Sequence, residues 1–181
     1  EFRRVLFRSN FSNLIFSCSV PSQWHMEHRV PDHCVVFVRQ GKLLISDKGR
    51  TEEIPAGSCV FLKKDCSVRL VKASFAGKNY EGLNIRLPQN ILEDYFQRHL
   101  KNNEFPQDFT GLSKCFMRLN RTLCLQGLLS SIILFVEEGQ DPGQEMTELK
   151  VEELILDLLQ TNIRFFPTLF DFYRDWNVDL K

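Results

Sequence analysis

GRTEEIPAGSCVFL, residues 49–62, sets the reading of the first half of the chain. Gly49 is followed by five residues, then by Pro55, Ala56 and Gly57, and Val60 and Phe61 open an apolar run just beyond. Glycine takes positive φ at no steric cost, so this spacing reads as tight turns that lead into the strand that follows. Working outward, Asp47-Lys48-Gly49 and Gln40-Gly41 are hairpin-type turns on either side of an apolar run at 42–46. Further strand-like runs fall at residues 14–20, 33–39, 59–62, 68–73 and 82–87. Short strands this close together predict an antiparallel sandwich or barrel.

After Pro88 the period changes. Ile91, Leu92, Tyr95, Phe96 and Leu100 recur at helical spacing. Residues 121–138 predict a second helix, and its apolar positions (Leu125, Leu128, Leu129, Ile132, Ile133, Phe135 and Val136) cover more than one stripe, so it should bury two sides. Residues 145–160 predict a third helix, with Leu149, Leu154, Ile155, Leu158 and Leu159 on one face and Glu152, Glu153 and Asp157 on the other. The last segment holds Phe165, Phe166, Phe170, Phe172, Tyr173 and Trp176, an aromatic density that predicts docking rather than a free tail.

Composition sets the class. With 43% hydrophobic and 25% charged residues the chain reads as an ordinary globular protein, and the apolar run at 128–136 is too short and too interrupted by serines to span a bilayer. Residues 1–9, EFRRVLFRS, resemble a translated sequencing adapter and are set aside. Without Arg3, Arg4, Arg8 and Glu1, the 23 basic and 23 acidic residues become 20 and 22. That balance offers little attraction for phosphates, and Lys63, Lys64, Arg69, Lys72 and Lys78 read as solvated surface. Six scattered cysteines with no CxxC pair read as reduced core thiols in a cytoplasmic setting, with disulfides as the minor alternative.

The Gly49-x5-Pro55-x-Gly57 spacing resembles the second half of the cupin signature. Cupin enzymes hold a metal through three histidines and a glutamate, whose positions here fall on His28, Val30, Cys34 and Val60. One surviving histidine does not make a site, so no metal and no cofactor are expected. His25, His28 and His33 read as strand-entry residues. Cys34 and His33 are strand neighbours pointing to opposite faces, which excludes a nucleophile and base pair. No catalytic residue is expected.

The segments His33-Cys-Val-Val-Phe-Val-Arg-Gln-Gly41-Lys-Leu, Pro55-Ala-Gly-Ser-Cys-Val-Phe-Leu62 and Phe165-Phe-Pro-Thr-Leu-Phe-Asp-Phe172 together resemble the regulatory half of AraC-type transcription regulators, in the branch of the type III secretion activator. The resemblance implies a mixed α+β fold: a small antiparallel cupin-like β-barrel (a double-stranded β-helix) over 10–87, a helical dimerisation layer over 88–161, and a linker over 162–181. Beyond the linker the family has a helix-turn-helix DNA-binding domain, absent here, with Trp176 to Lys181 resembling its first residues and Asn177 placed as a helix N-cap. It implies a homodimer paired through the helices after the barrel, with DNA contacted only by the missing domain; the surplus of apolar positions points to Leu125, Leu128, Leu129, Ile132, Phe135 and Val136 for that pairing, the alternative being that both helices pack entirely on their own barrel. A small-molecule or protein effector is expected; the barrel residues Phe37, Ile45, Phe61 and Ile85 either line a small-molecule site or, the reading the residues favour, simply fill the core. The competing readings are a stand-alone metal-free cupin that binds a small molecule, and a cupin enzyme.

Overall fold

The computed structural model describes residues 6–103 and 110–172. The expectations for Tyr173, Trp176 and Asn177, and for residues 1–5 of the adapter-like segment, lie outside the described residues. Ten strands come first in the chain with one exception: β1 (Leu6–Phe11), β2 (Ile15–Val20), β3 (Trp24–Arg29), β4 (His33–Gln40), β5 (Lys42–Asp47), β6 (Arg50–Pro55), β7 (Cys59–Leu62), β8 (Ser67–Ala73) and β9 (Tyr80–Leu87) precede the helices, and β10 (Phe116–Arg118) follows the first of them. The helices are α1 (Gln89–Tyr95), which widens into a π-helical turn at Phe96–Leu100, then α2 (Leu123–Glu138), α3 (Gln144–Thr161) and α4 (Phe165–Leu169).

The expected barrel is not closed. The strands form two antiparallel sheets, a six-stranded one in the order β1-β2-β9-β4-β7-β10 and a four-stranded one in the order β3-β8-β5-β6. No ladder joins the sheets among the described residues, so the architecture is a two-sheet sandwich with helices on the far side of the larger sheet. Two short polar strands, β3 (WHMEHR) and β6 (RTEEIP), escaped the sequence reading, as did β10, which lies inside the segment read as helical and pairs with β7 through Phe116↔Leu62. Leu6 to Ser9, set aside above, belong to the edge strand β1.

The turns are where the sequence placed them. Gly41 has φ 71° between β4 and β5, and a Cβ there would stand 2.5 Å from the Ala73 carbonyl oxygen and 2.8 Å from the Tyr80 Cα. Only glycine fits so close to two backbones. Lys48 and Gly49 both have positive φ (46° and 82°), the geometry that lets a two-residue turn follow strand twist. Gly57 closes the deciding stretch by donating its N–H to Val38 O at 2.7 Å.

Strand alternation sends side chains into two cores. Between the sheets lie Val36, Val38, Leu43, Ile45, Ile54, Val60, Leu62, Val68, Leu70 and Tyr80. On the outer face of the larger sheet, Val35, Phe61, Leu83 and Ile85 meet Leu92 and Phe96, the inner faces of α2 and α3, and the Phe165–Phe172 segment. The aromatic segment is thus core: Phe165 packs edge-on against Phe61 with centroids 5.0 Å apart, and Phe170 against Phe96 at 5.5 Å. Each such ring contributes roughly 2–3 kcal/mol by burial.

Helix α2 starts two residues later than the pattern suggested, because Thr122 caps it. Its Oγ1 accepts from Leu125 N at 2.9 Å and donates to Asp157 Oδ1 at 2.8 Å. That bond explains why Asp157 is buried rather than on the outer face of α3. Conversely Leu149, expected inside, is 58% exposed, and Val151 takes its place in the core.

Candidate functional site

The four residues expected to line a ligand chamber do not converge. Ile45 lies between the sheets, whereas Phe61 and Ile85 are fully buried on the opposite face of the larger sheet, and Phe37 packs at the margin of that same cluster. The register explains the split. Val35 stands opposite Phe61 on one side and Ile85 on the other, so all three share the helix-facing side, while Val36 pairs with Val60 and Asn84 on the inner side. Those aromatic side chains fill the sheet–helix core.

Inside the sandwich, the residues that reasoning from sequence missed are polar. Lys72, read above as solvated, is buried. Strand β8 alternates Val68, Leu70, Lys72 toward the other sheet, and Lys72 reaches across to place its Nζ 3.5 Å from Cys18 Sγ and 5.6 Å from the centre of the Tyr80 ring. Tyr80 is fully buried, burial pushes its hydroxyl far above the ordinary phenol range, and its Oη has no hydrogen-bond partner. Asn84 Oδ1, on the inner side of β9, is likewise buried and unpartnered. The available signal was the period of two: Lys72 continues an inward row that begins at Val68 and Leu70. Lys63 and Lys64 are also partly buried, bonded to Leu112 O and to Asp171; Arg69 and Lys78 are exposed as expected.

The histidines separate. His25 is exposed on β3, and the side chain of His28 lies outside what is described. His33 is buried on the helix side, stacked on Phe61 at 5.5 Å, with Nδ1 accepting from Lys64 N at 3.0 Å. Its Nε2 faces the backbone of Thr168 in α4 without a well-formed hydrogen bond. Burial first, and Lys64 second, lower its pKa from 6.5 to about 4. Among the described residues no three His, Cys, Asp or Glu side chains gather as metal ligands. The six cysteines are free thiols, and burial pushes Cys34 and Cys59 up to about 12, which suppresses thiolate chemistry.

Two surface features remain. An open cleft of about 260 Å³ runs between the β5–β6 hairpin (Asp47, Arg50, Glu52) and the approach to β10 (Lys114 to Arg118), with charges of both signs over Phe116 and Met117. The other is the outer face of α2. Leu125, Leu128, Leu129 and Ile132, expected to pair two subunits, are turned into the chain's own core, with Phe135 and Val136 half-buried against it. The side left to solvent carries Leu123 (87% exposed), Gly127, Ser130 and Leu134 (60% exposed), at helical spacing.

Solved structures share this fold of two sheets backed by helices. Ligand-free ToxT from Vibrio cholerae superposes with a TM-score of 0.62 at 15% identity, over 87% of this chain and 60% of that one. ToxT bound to an unsaturated fatty acid gives 0.55 at 13%, over 80% and 52%, and ToxT bound to (E)-4-(8-methylnaphthalen-1-yl)but-3-enoic acid gives 0.51 at 14%, over 80% and 56%. The chain therefore spans about 60% of the length of ToxT or less. The model of the ExsA N-terminal regulatory domain matches residues 33–165, and the chain belongs to that family. A search of curated proteins gives no match. No described helix is long and apolar enough to cross a membrane.

Proposed function

We propose that this domain is the signal-receiving and pairing half of a DNA-binding transcription regulator, the promoter being read by a helix-turn-helix domain outside the present sequence. The observation that carries the reading is the family match over residues 33–165, together with the shared ToxT fold over only 60% of that protein's length. The balanced charge supports it, since a domain with equal numbers of acidic and basic residues supplies little phosphate attraction of its own.

Pairing is assigned to the solvent side of α2. Leu123 and Leu134 there bracket the small residues Gly127 and Ser130, which let a second helix approach closely. The buried row Leu125, Leu128, Leu129 and Ile132 holds α2 on the sheet and so presents that side. Exposed Met146, Leu149 and Leu156 on α3 extend the apolar surface. Sedimentation velocity at ~30 μM is expected to give a homodimer, and Leu134→Glu a monomer with unchanged circular dichroism. A wild-type chain that stays monomeric at that concentration rejects the pairing. The effector is read as a small molecule on the precedent of the fatty-acid-bound ToxT fold, with a protein effector as the competing source of signal.

A further inference from the structure

Strand β10 extends the edge of the larger sheet past the end of β7. Phe116 stands opposite Leu62, and one step further out Cys115 O accepts from Lys63 N at 2.8 Å. From Lys63 the chain turns toward the smaller sheet through Asp65, which has φ 61° and donates its N–H to Val30 O at 2.8 Å. Val30 N in turn donates to Cys66 O at 2.8 Å. Cys66 therefore comes back beside Cys115 just before β8 begins at Ser67. The two thiols are in hydrogen-bond contact, and Cys115 also touches the carboxylate of Asp47 at the end of β5.

Neither thiol is fully buried. Cys18 and Cys59 lie in the cores, whereas Cys66 and Cys115 are half-buried, and Cys115 and Asp47 line the open cleft of about 260 Å³. Small solutes therefore reach the pair from solvent. The surroundings also make the two sulfurs unlike. Loss of water first, and then the contacts with Cys66 and Asp47, hold the Cys115 thiol well above the ordinary thiol range, so Cys115 rests protonated and the first attack on an oxidant falls to Cys66. Both segments also seat the C-terminal aromatic segment. Lys63 Nζ donates to Leu112 O at 2.9 Å, Leu112 N donates to Thr168 Oγ1 of α4 at 2.7 Å, and Lys64 Nζ pairs with Asp171 at 2.9 Å.

We propose that Cys66 and Cys115 form a reversible disulfide on exposure to hydrogen peroxide, and that the bond clamps the seat of the Phe165–Phe172 segment. The Cys66 sulfur attacks a peroxide oxygen, the O–O bond breaks, and water leaves with the Cys66 proton. The Cys115 sulfur then attacks the resulting sulfenic acid: the S–S bond forms, the S–O bond breaks, and a second water carries off the Cys115 proton. Two thiols and one hydrogen peroxide thus give one disulfide and two waters. In the reduced chain the turn at 63–66 and the segment at 112–115 are joined by hydrogen bonds; the disulfide joins them covalently and closes a long loop of chain between them. This goes beyond the regulatory reading and stands whether or not two chains pair.

The test treats the protein with a small molar excess of hydrogen peroxide, blocks the remaining thiols with iodoacetamide and digests with trypsin. Cleavage after Lys64, Arg69, Lys114 and Arg118 releases the peptides 65–69 and 115–118, expected as one linked pair that dithiothreitol separates. Cys124, exposed at the start of α2, is the comparison for simple accessibility and is expected to stay outside the link. In Cys115→Ser, dimedone is expected to trap a sulfenic acid on Cys66; in Cys66→Ser, Cys115 is expected to be labelled at least about fivefold less. The oxidised wild type is expected to unfold about 5–10 °C above the reduced one and to exchange its α4 amides at least about threefold more slowly, with neither change in the two serine variants. The proposal is overturned if the two peptides are recovered unlinked, if either thiol pairs with Cys124 instead, or if Cys115 is labelled as readily as Cys66. It is equally overturned if the linked chain keeps the unfolding temperature or the α4 exchange of the reduced one.

Discussion

Replacing His33 by glutamine should flatten the acid limb of the stability curve. In the folded chain the ring is buried against Phe61 and beside Lys64, and its pKa falls from 6.5 to about 4. On acidification the unfolded chain takes up a proton near pH 6.5 that the folded chain refuses until about pH 4. The neutral ring therefore contributes stability that is complete above the unfolded value and is lost as pH falls through the window between the two. At about 1.4 kcal/mol per pH unit the loss amounts to ~3 kcal/mol, a large share of the margin of a domain this size. Glutamine has no titration in this range and can still accept from Lys64 N, but it gives up the stacked ring, which should cost about 1–2 kcal/mol at neutral pH. Urea unfolding of both proteins at about pH 7 and about pH 4.5 should thus show the wild type ahead at the first and level with or behind the variant at the second. Carboxylates and exposed histidines titrate alike in both proteins and drop out of the difference. Parallel curves for the two proteins across this range would refute the assignment of a buried, neutral His33.

Gly41→Ala should destabilise by at least ~2 kcal/mol in urea, because its Cβ would collide with two backbone segments as well as adopt positive φ, whereas Gly49→Ala, with open space around it, should cost only ~1 kcal/mol. Equal losses at the two glycines would show that Ala73 and Tyr80 give way freely. Thr122→Ala removes the cap of α2 and strands the buried Asp157 carboxylate, so thermal unfolding should report a loss of about 1–3 kcal/mol, most of it restored by Thr122→Ser. A serine variant as unstable as the alanine one would point to the methyl group instead.

The hairpins, the helices and the docking of Phe165 to Phe172 were readable because each depends on local chemistry: a glycine in a turn, a period of 3.6, a run of rings too costly to leave in water. The facing of β4 was not. HCVVFVRQ is almost continuously apolar because both sides of the larger sheet are covered, by the smaller sheet and by the helices, so alternation gives two sets of residues without saying which core receives each. That is why Phe37, Phe61 and Ile85 were expected around a ligand together with Ile45. Strand β6 was hidden for the opposite reason: RTEEIP is an edge strand with one buried anchor, Ile54, and its remaining side chains carry no strand-like pattern. For α2 the surplus of apolar residues was visible, but the row that meets the sheet and the row that meets solvent differ by one step around the helix, and only packing decides between them. Lys72 was assigned outward by its charge, although its position in the alternation already put it inward.

The larger sheet is the wall between the two cores. On β4, Cys34, Val36 and Val38 face the interior while His33, Val35 and Phe37 face the helices, and β9 divides in the same way between Tyr80 and Asn84 on one side and Leu83 and Ile85 on the other. Interiors this closely packed do not absorb a displaced strand by soft deformation; neighbours on both faces must move with it. The helix-facing side of β9 touches α3, and α3 is tied to the start of α2 by the Thr122–Asp157 hydrogen bond, so a displacement of β9 reaches α2 through one packed layer and one hydrogen bond.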